Sequence, residues 1–356
     1  MISTKLCDLA GIKYPIVQAG MGPHSTNDLA VASANAGILG IISTSGAQIG
    51  VLPQLAPYVG KGTPYEITER MIRRVAESTR ESGGVFGMNV MVSMELKEMA
   101  GPVIQAAIDL RKEDPGVAER MRVIITTAGD PMPWAEVIKP AGFKWFHAVP
   151  SAYHAKRCER AGVDVIIAQG QEAAAHVAWE PVHTMVLLPA IVDAVSTPVI
   201  GTGGFCDGAT LVAALALGAC GIQMGTRFIA TEECEFGQLL KDAILERDER
   251  ATLVARGLVG PFRYLRNKAS VELAQLTVQR APGLFLGQPD DVLDPEISAK
   301  EMENFGKFIE GGDKEEALLP GGEVAGRIGN TPTVSELVED IMRQAEQRLS
   351  SLKQYM

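Results

Sequence analysis

Up to about Cys234 the chain repeats one unit: a short β-rich apolar run, a loop containing glycine, then a stretch rich in Ala, Leu, Arg and Glu. That alternation predicts parallel strands joined by helical crossovers. The predicted strands are Ile16–Gln18, Leu39–Ile42, Val85–Val90, Val123–Thr126, Lys144–Val149, Val165–Ala168, Val199–Gly201 and Gly221–Met224. A doubly wound open sheet shares this local periodicity, but eight successive βα units in roughly 230 residues fit a closed TIM (β/α)8 barrel better.

Helix boundaries are marked by stop signals. Asn27–Ala36 runs up to Gly37, Ala152–Arg160 ends at Ala161-Gly162, and Gly208–Leu217 closes at Gly218, with Gly162 suited to a left-handed cap. Beyond Cys234 the pattern changes. Glu235–Arg256 reads as a charged helix, Pro282–Pro295 is rich in turn formers, and Gly311-Gly312-Asp313 and Pro320-Gly321-Gly322 precede a final amphipathic helix over about Val334–Lys353. The chain is therefore expected to form a barrel over 1–234 and a mostly helical extension over 235–356. The extension should cover the barrel mouth and not fold alone.

Composition excludes several classes of function. Of 356 residues, 46% are hydrophobic and 21% charged, the signature of an ordered globular chain. A net charge of −10, with Lys/Arg clusters such as Arg73-Arg74 interrupted by other residues, leaves no basic stripe for nucleic acid. Neither an apolar signal core nor a run of about 18 to 20 apolar residues is present, so a cytoplasmic protein without a membrane partner is expected. Cys7, Cys158, Cys206, Cys220 and Cys234 are odd in number and lack zinc-type spacing with the five histidines, so reduced thiols and no metal site are expected.

In a parallel barrel the chemistry lies in loops at the C-terminal ends of the strands. After the seventh predicted strand comes Gly201-Thr202-Gly203-Gly204-Phe205-Cys206-Asp207-Gly208, and after the eighth Gln223-Met224-Gly225-Thr226-Arg227-Phe228. Such a pair makes a phosphate cradle: glycines admit an anion close to backbone N–H groups, and Thr226 adds a hydroxyl. One Gly-rich loop is weak evidence; two, on the last two strands, are much stronger. After the sixth strand, Ala168-Gln169-Gly170-Gln171-Glu172-Ala173-Ala174-Ala175-His176 carries a histidine able to exchange a proton near neutrality. A structural role for His176 is about equally common without that context. Gln18-Ala19-Gly20-Met21-Gly22 can pass its backbone close to a flat ring, although a tight turn explains its glycines equally well. Asn89 offers an amide that can both donate and accept, although taken alone such an Asn is more often a turn residue.

Together these segments resemble the nitronate monooxygenase (2-nitropropane dioxygenase) family, whose relatives include FMN-dependent enoyl-acyl carrier protein reductases and NADH:quinone reductases. The resemblance runs nearly end to end: Pro15 to Met21, the Asn89 strand, Ala168 to His176, Gly203-Gly204 and Gln223 to Phe228, with Arg263 to Asn267 and Gly322 to Gly326 also similar. It implies FMN as cofactor. Asn89 and Gln169 would contact the flavin, and Gly204 with Gln223, Met224, Gly225 and Thr226 would hold its phosphate end. Gly20, Met21, Gly22, Gly170, Ala174 and Gly203 complete the implied cofactor contacts, with His176 as the catalytic residue. Two departures stand out: Ala174-Ala175 replaces a usual Gly-Gly before the histidine, and Glu323 stands where Gln is usual. Trp179 and His183 are candidates to line a pocket for a bulky substrate, although an aromatic at such spacing is more often simply packed.

The resemblance implies an oxidoreductase with a small-molecule substrate. Oxidation of alkyl nitronates with O2 leads; NAD(P)H-dependent reduction of an enoyl thioester or quinone is the alternative, and a flavin-binding protein without turnover is a third.

Overall fold

The computed structural model describes residues 2–24, 26–49, 60–94, 96–290 and 292–355. Eight parallel strands form the barrel: β1 (Ile16–Gln18), β2 (Gly40–Ser43), β3 (Phe86–Met91), β4 (Met121–Thr127), β5 (Lys144–Val149), β6 (Val165–Gln169), β8 (Val199–Thr202) and β9 (Ile222–Met224). The order β1-β9-β8-β6-β5-β4-β3-β2 closes on itself through a parallel bridge between Val17 and Leu39. Val17, Ile41, Val123, Ile125, Phe146, Val165, Ile167 and Ile200 fill the barrel interior. The opposite faces of the strands, with Ile42, Met88, Ile124, Trp145 and Ile166, pack under the helices. Strands buried on both faces explain why they read as continuous apolar runs.

The helix Ala152–Ala161 ends on Gly162 at φ 77°, and Gly218 follows Gly208–Ala216 at φ 90°. Both positions are left-handed, where glycine carries no Cβ penalty. The final helix, Val334–Leu352, packs against Gly208–Ala216 and Asn27–Asn35, in the slot of the eighth crossover helix. Backbone of Ile341 and Ala345 comes so close to Gly208 that no Cβ would fit there. Among the described residues, no helix is long and apolar enough to cross a membrane.

The expected helix Glu235–Arg256 is only partly present. Gln238–Leu245 is helical, but Thr252–Gly257 is a strand, β10, paired antiparallel with β11 (Gly260–Leu265). Asp248 ends the helical run by taking the amide of Arg250 on its carboxylate, and Leu253 and Ala255 then pack on a separate cluster with Phe262, Tyr264 and Leu273. A third strand, β7 (Ala175–His176), joins the far edge of β11. The loop after β6 is thereby tied to the extension.

Between barrel and helices lies a buried polar chain. Trp145 Nε1 donates to Thr126 Oγ1 at 2.8 Å, and that hydroxyl lies 2.6 Å from His147 Nδ1. The imidazole also forms a backbone hydrogen bond at Gly129. Burial holds His147 neutral, its pKa lowered to about 4. The sign follows from linkage: the unfolded chain, with a histidine pKa near 6.5, binds more protons below that pH. The stability His147 contributes is therefore complete above about pH 6.5 and is lost as pH falls toward 4. Between pH 7.5 and 5 the loss is about 2 kcal/mol. Urea unfolding at both pH values should show wild type losing about 2 kcal/mol more than His147→Gln over this range; an unchanged slope in the variant refutes the assignment.

Candidate functional site

Strand alternation determines which side chains face the barrel axis. Ser43, Asn89, Gln169 and Thr202 share the parity of Ile41, Gly87, Ile167 and Ile200, and Gln223 lies in register with Val17 and Thr202. They form a polar ring at the C-terminal ends of the strands, above an apolar plug. Thr202 Oγ1 donates to the Gln223 carbonyl at 3.1 Å. A Cβ on Gly20 would lie 2.6 Å from Asn89 Cβ, so the first loop reaches Asn89 only as glycine. A Cβ on Gly22 would overlap the Ser45 hydroxyl. Met21 Sδ lies beside Gly225, joining the loops after β1 and β9. Met224 is different: its side chain is buried between barrel and helices, so only its backbone faces the mouth, and its carbonyl accepts from the Ala19 amide.

Gly203 and Gly204 are consecutive left-handed residues, φ 88° and 85°. A Cβ at Gly203 would meet the Gly170 carbonyl at 2.8 Å and the Ala173 amide at 3.1 Å, whereas at Gly204 nothing is nearer than Glu172 Cβ at 3.8 Å. Gly204 therefore borders open space. Thr226 begins a short helix, and its hydroxyl accepts from the Gly322 amide at 3.0 Å, keeping its own proton to donate. A Cβ on Gly322 would touch the Glu172 carbonyl, Thr226 Oγ1 and the Ala174 amide at 2.9 to 3.3 Å. Thus Gly170, Ala174, Gly203, Gly204, Gly225 and Thr226 converge. Gly322, from the extension, completes the group; its only sequence signal was the family-like Gly322–Gly326 segment.

His176 is half-buried on β7, paired with Phe262 of β11 and packed edge-on against the Phe262 ring at 4.8 Å. Its carbonyl accepts from Gln169 Nε2 at 2.6 Å, which links it to the polar ring. Beneath β7 the buried Arg263 donates to the Gln171 carbonyl at 2.9 and 3.1 Å and to Thr252 Oγ1 at 2.8 Å, and it pairs with Glu323 at 3.1 Å. Burial lowers its pKa, Glu323 and Glu172 opposing, but a guanidinium stays charged. Behind it the fully buried Tyr264 donates to Glu301 at 2.6 Å; burial pushes the Glu301 carboxyl above its usual range, and the Tyr264 hydrogen bond opposes that shift. Trp179 lies under the Arg256 guanidinium at 5.1 Å, and Arg256 pairs with Asp290 at 2.6 Å. His183 is mostly exposed, 3.7 Å from Glu172.

Ala175 adopts φ 59°, where an L-residue with a Cβ is strained by about 1–2 kcal/mol. A glycine there relieves that strain and gives back a few tenths through the unfolded chain. Ala175→Gly is accordingly expected to stabilise the protein by about 1 kcal/mol, a small rise in Tm by calorimetry. A lower Tm would show that the methyl's packing outweighs its torsion.

The nitronate monooxygenase profile matches residues 3–344. A carboxyl-CoA dehydrogenase acting on a hydroxy-methyl-oxo-octahydro-indene, from Rhodococcus jostii, is 28% identical over 99% of this chain and 98% of its own. A probable nitronate monooxygenase of Staphylococcus aureus is 28% identical over 96% of this chain and 97% of its own. Among solved structures, FabK from Thermotoga maritima superposes with a TM-score of 0.80 at 27% identity over the whole of both chains. Nitroalkane oxidase from Streptomyces ansochromogenes gives 0.73 at 23%, covering 98% of this chain and 99% of its own, and shares the fold. With an end-to-end profile match and a glycine-lined mouth beneath His176, the chain is an oxidoreductase and belongs to the nitronate monooxygenase family.

Proposed function

We propose that the protein is an FMN-dependent enzyme that oxidises alkyl nitronates with O2. The observation that carries this reading is the hydrogen bond from Gln169 Nε2 to the His176 main-chain carbonyl, which fixes the strand carrying His176 against the ring of inward amides. The residues fit FMN. Gly204 leaves open space for one phosphate, Thr226 keeps a free hydroxyl proton, and Asn89, Gln169 and Gln223 present amides where a flat polar ring would lie. Bound FMN supplies two-electron redox chemistry. The protein's part is to orient the substrate carbon, exclude water with the part of the 235–356 extension that precedes Val334 as lid over the barrel, and move a proton at His176.

A second reading, NAD(P)H-driven reduction of an enoyl thioester, is favoured by the relative named for a carboxyl-CoA. Cofactor release followed by anaerobic stopped-flow reduction separates the two. Released FMN, and bleaching by nitronate but not by NADH or NADPH, are expected. Recovery of FAD defeats the cofactor assignment, and bleaching by NAD(P)H alone transfers the protein to the second reading.

A further inference from the structure

Outside the mouth, Glu246, Arg247, Asp248, Arg250, Ala251 and Arg266 line a cavity of about 460 Å³. Three guanidiniums face two carboxylates, and both carboxylates are engaged: Glu246 by Lys314 at 2.7 Å and Asp248 by Arg250 at 2.9 Å. Among the described residues Arg247 and Arg266 have no carboxylate within ion-pair distance. Two geometric links tie this cavity to the mouth. The Gly322–Gly326 turn touches Thr226 at one end and the Asp248 backbone at the other. Strand β11 carries Phe262 opposite His176, and Arg266 lies four residues further on, about 13 Å at roughly 3.3 Å per residue.

We propose that this cavity binds the phosphorylated adenosine diphosphate portion of a second substrate, the chemistry shared by coenzyme A thioesters and NADPH. Both carry a phosphate monoester in addition to a diphosphate, and forked guanidiniums match phosphate oxygens in pairs. The arm between a CoA thioester sulfur and its diphosphate, twelve bonds, extends to about 15 Å, which suits the separation along β11. Binding at this cavity goes beyond the nitronate reading and does not depend on which donor bleaches the flavin; the second reading is the one that supplies a nucleotide-bearing partner.

The test is calorimetric titration of the flavin-loaded protein with CoA, dephospho-CoA, NADPH and NADH. At least one phosphorylated member is expected to bind tenfold or more tightly than its dephosphorylated counterpart. Arg247→Ala with Arg266→Ala, both at the surface of the extension, should erase that difference while flavin content is retained. Discrimination by CoA identifies a thioester, and discrimination by NADPH alone keeps the cavity as a hydride-donor site while removing the thioester's anchor. Equal affinity within both pairs, no binding at all, or discrimination that survives in the double variant overturns the proposal. Thioester turnover without discrimination would overturn it too and leave the second reading standing. The wild-type comparison decides even if the double variant does not fold.

Discussion

Gly204→Asp is expected to abolish retention of FMN. The backbone there is left-handed at φ 85°, which Asp tolerates better than most residues, and a Cβ would meet nothing nearer than 3.8 Å. The variant should therefore fold, with its carboxylate in the space assigned to the phosphate. Repulsion between two charges about 4 Å apart is near 4 kcal/mol at an effective dielectric of about 20, on the order of a thousandfold in affinity. Gly204→Asn supplies the same shape without the charge and should lose far less. Fluorescence titration of apoprotein with FMN measures both. Wild-type affinity in a folded Gly204→Asp protein would show that the phosphate lies elsewhere.

His176→Ala should keep the flavin and lose proton transfer. The strand that carries it is held by backbone pairing to Phe262 and by Gln169 on the main-chain carbonyl, neither of which involves the imidazole. Removing a general base costs roughly 10²- to 10⁴-fold in the chemical step. A neutral nitroalkane, which must still lose a carbon proton, should suffer most, and a preformed nitronate much less. An NAD(P)H-driven reductase would place the defect in the second half-reaction, where reduced flavin meets its acceptor. Stopped-flow measurement of each half-reaction distinguishes these patterns; equal rates in wild type and variant throughout would make His176 structural.

How far the sequence could be read depended on whether a signal was local. Lys144–Val149 and Ile16–Gln18 are bounded to the residue because each run lies between turn formers, Gly142 and Pro150 for the first, Pro15 and Gly20 for the second. Asn89 and Gln169 were legible because they interrupt such runs at the end that faces the mouth. Thr252–Gly257 was not legible, since its neighbours Arg247 to Arg250 are charged in a helical pattern and its strand character depends on pairing with β11. The Arg263 contacts to Gln171 and Glu323 were likewise hidden, for they join segments 92 and 60 residues away through a single buried guanidinium. His176 was read as a loop residue; β7 is two residues long and exists only because β11 lies beside it. Met224 was assigned to the phosphate end as a residue, whereas strand parity sends its side chain into the core.

The wall of the barrel is finished by Val334–Leu352, made long after the strands it shields. During synthesis, the groove between Asn27–Asn35 and Gly208–Ala216 stays uncovered until residues 334–352 have emerged, more than a hundred residues after the last barrel strand. Val338, Ile341 and Met342 fill it last. Nascent chains arrested before 334 would present that apolar groove to chaperones or to one another. The same order means that the segment between Met224 and Val334 is anchored to the barrel at both ends, so its excursions are those of a closed loop and not of a free tail.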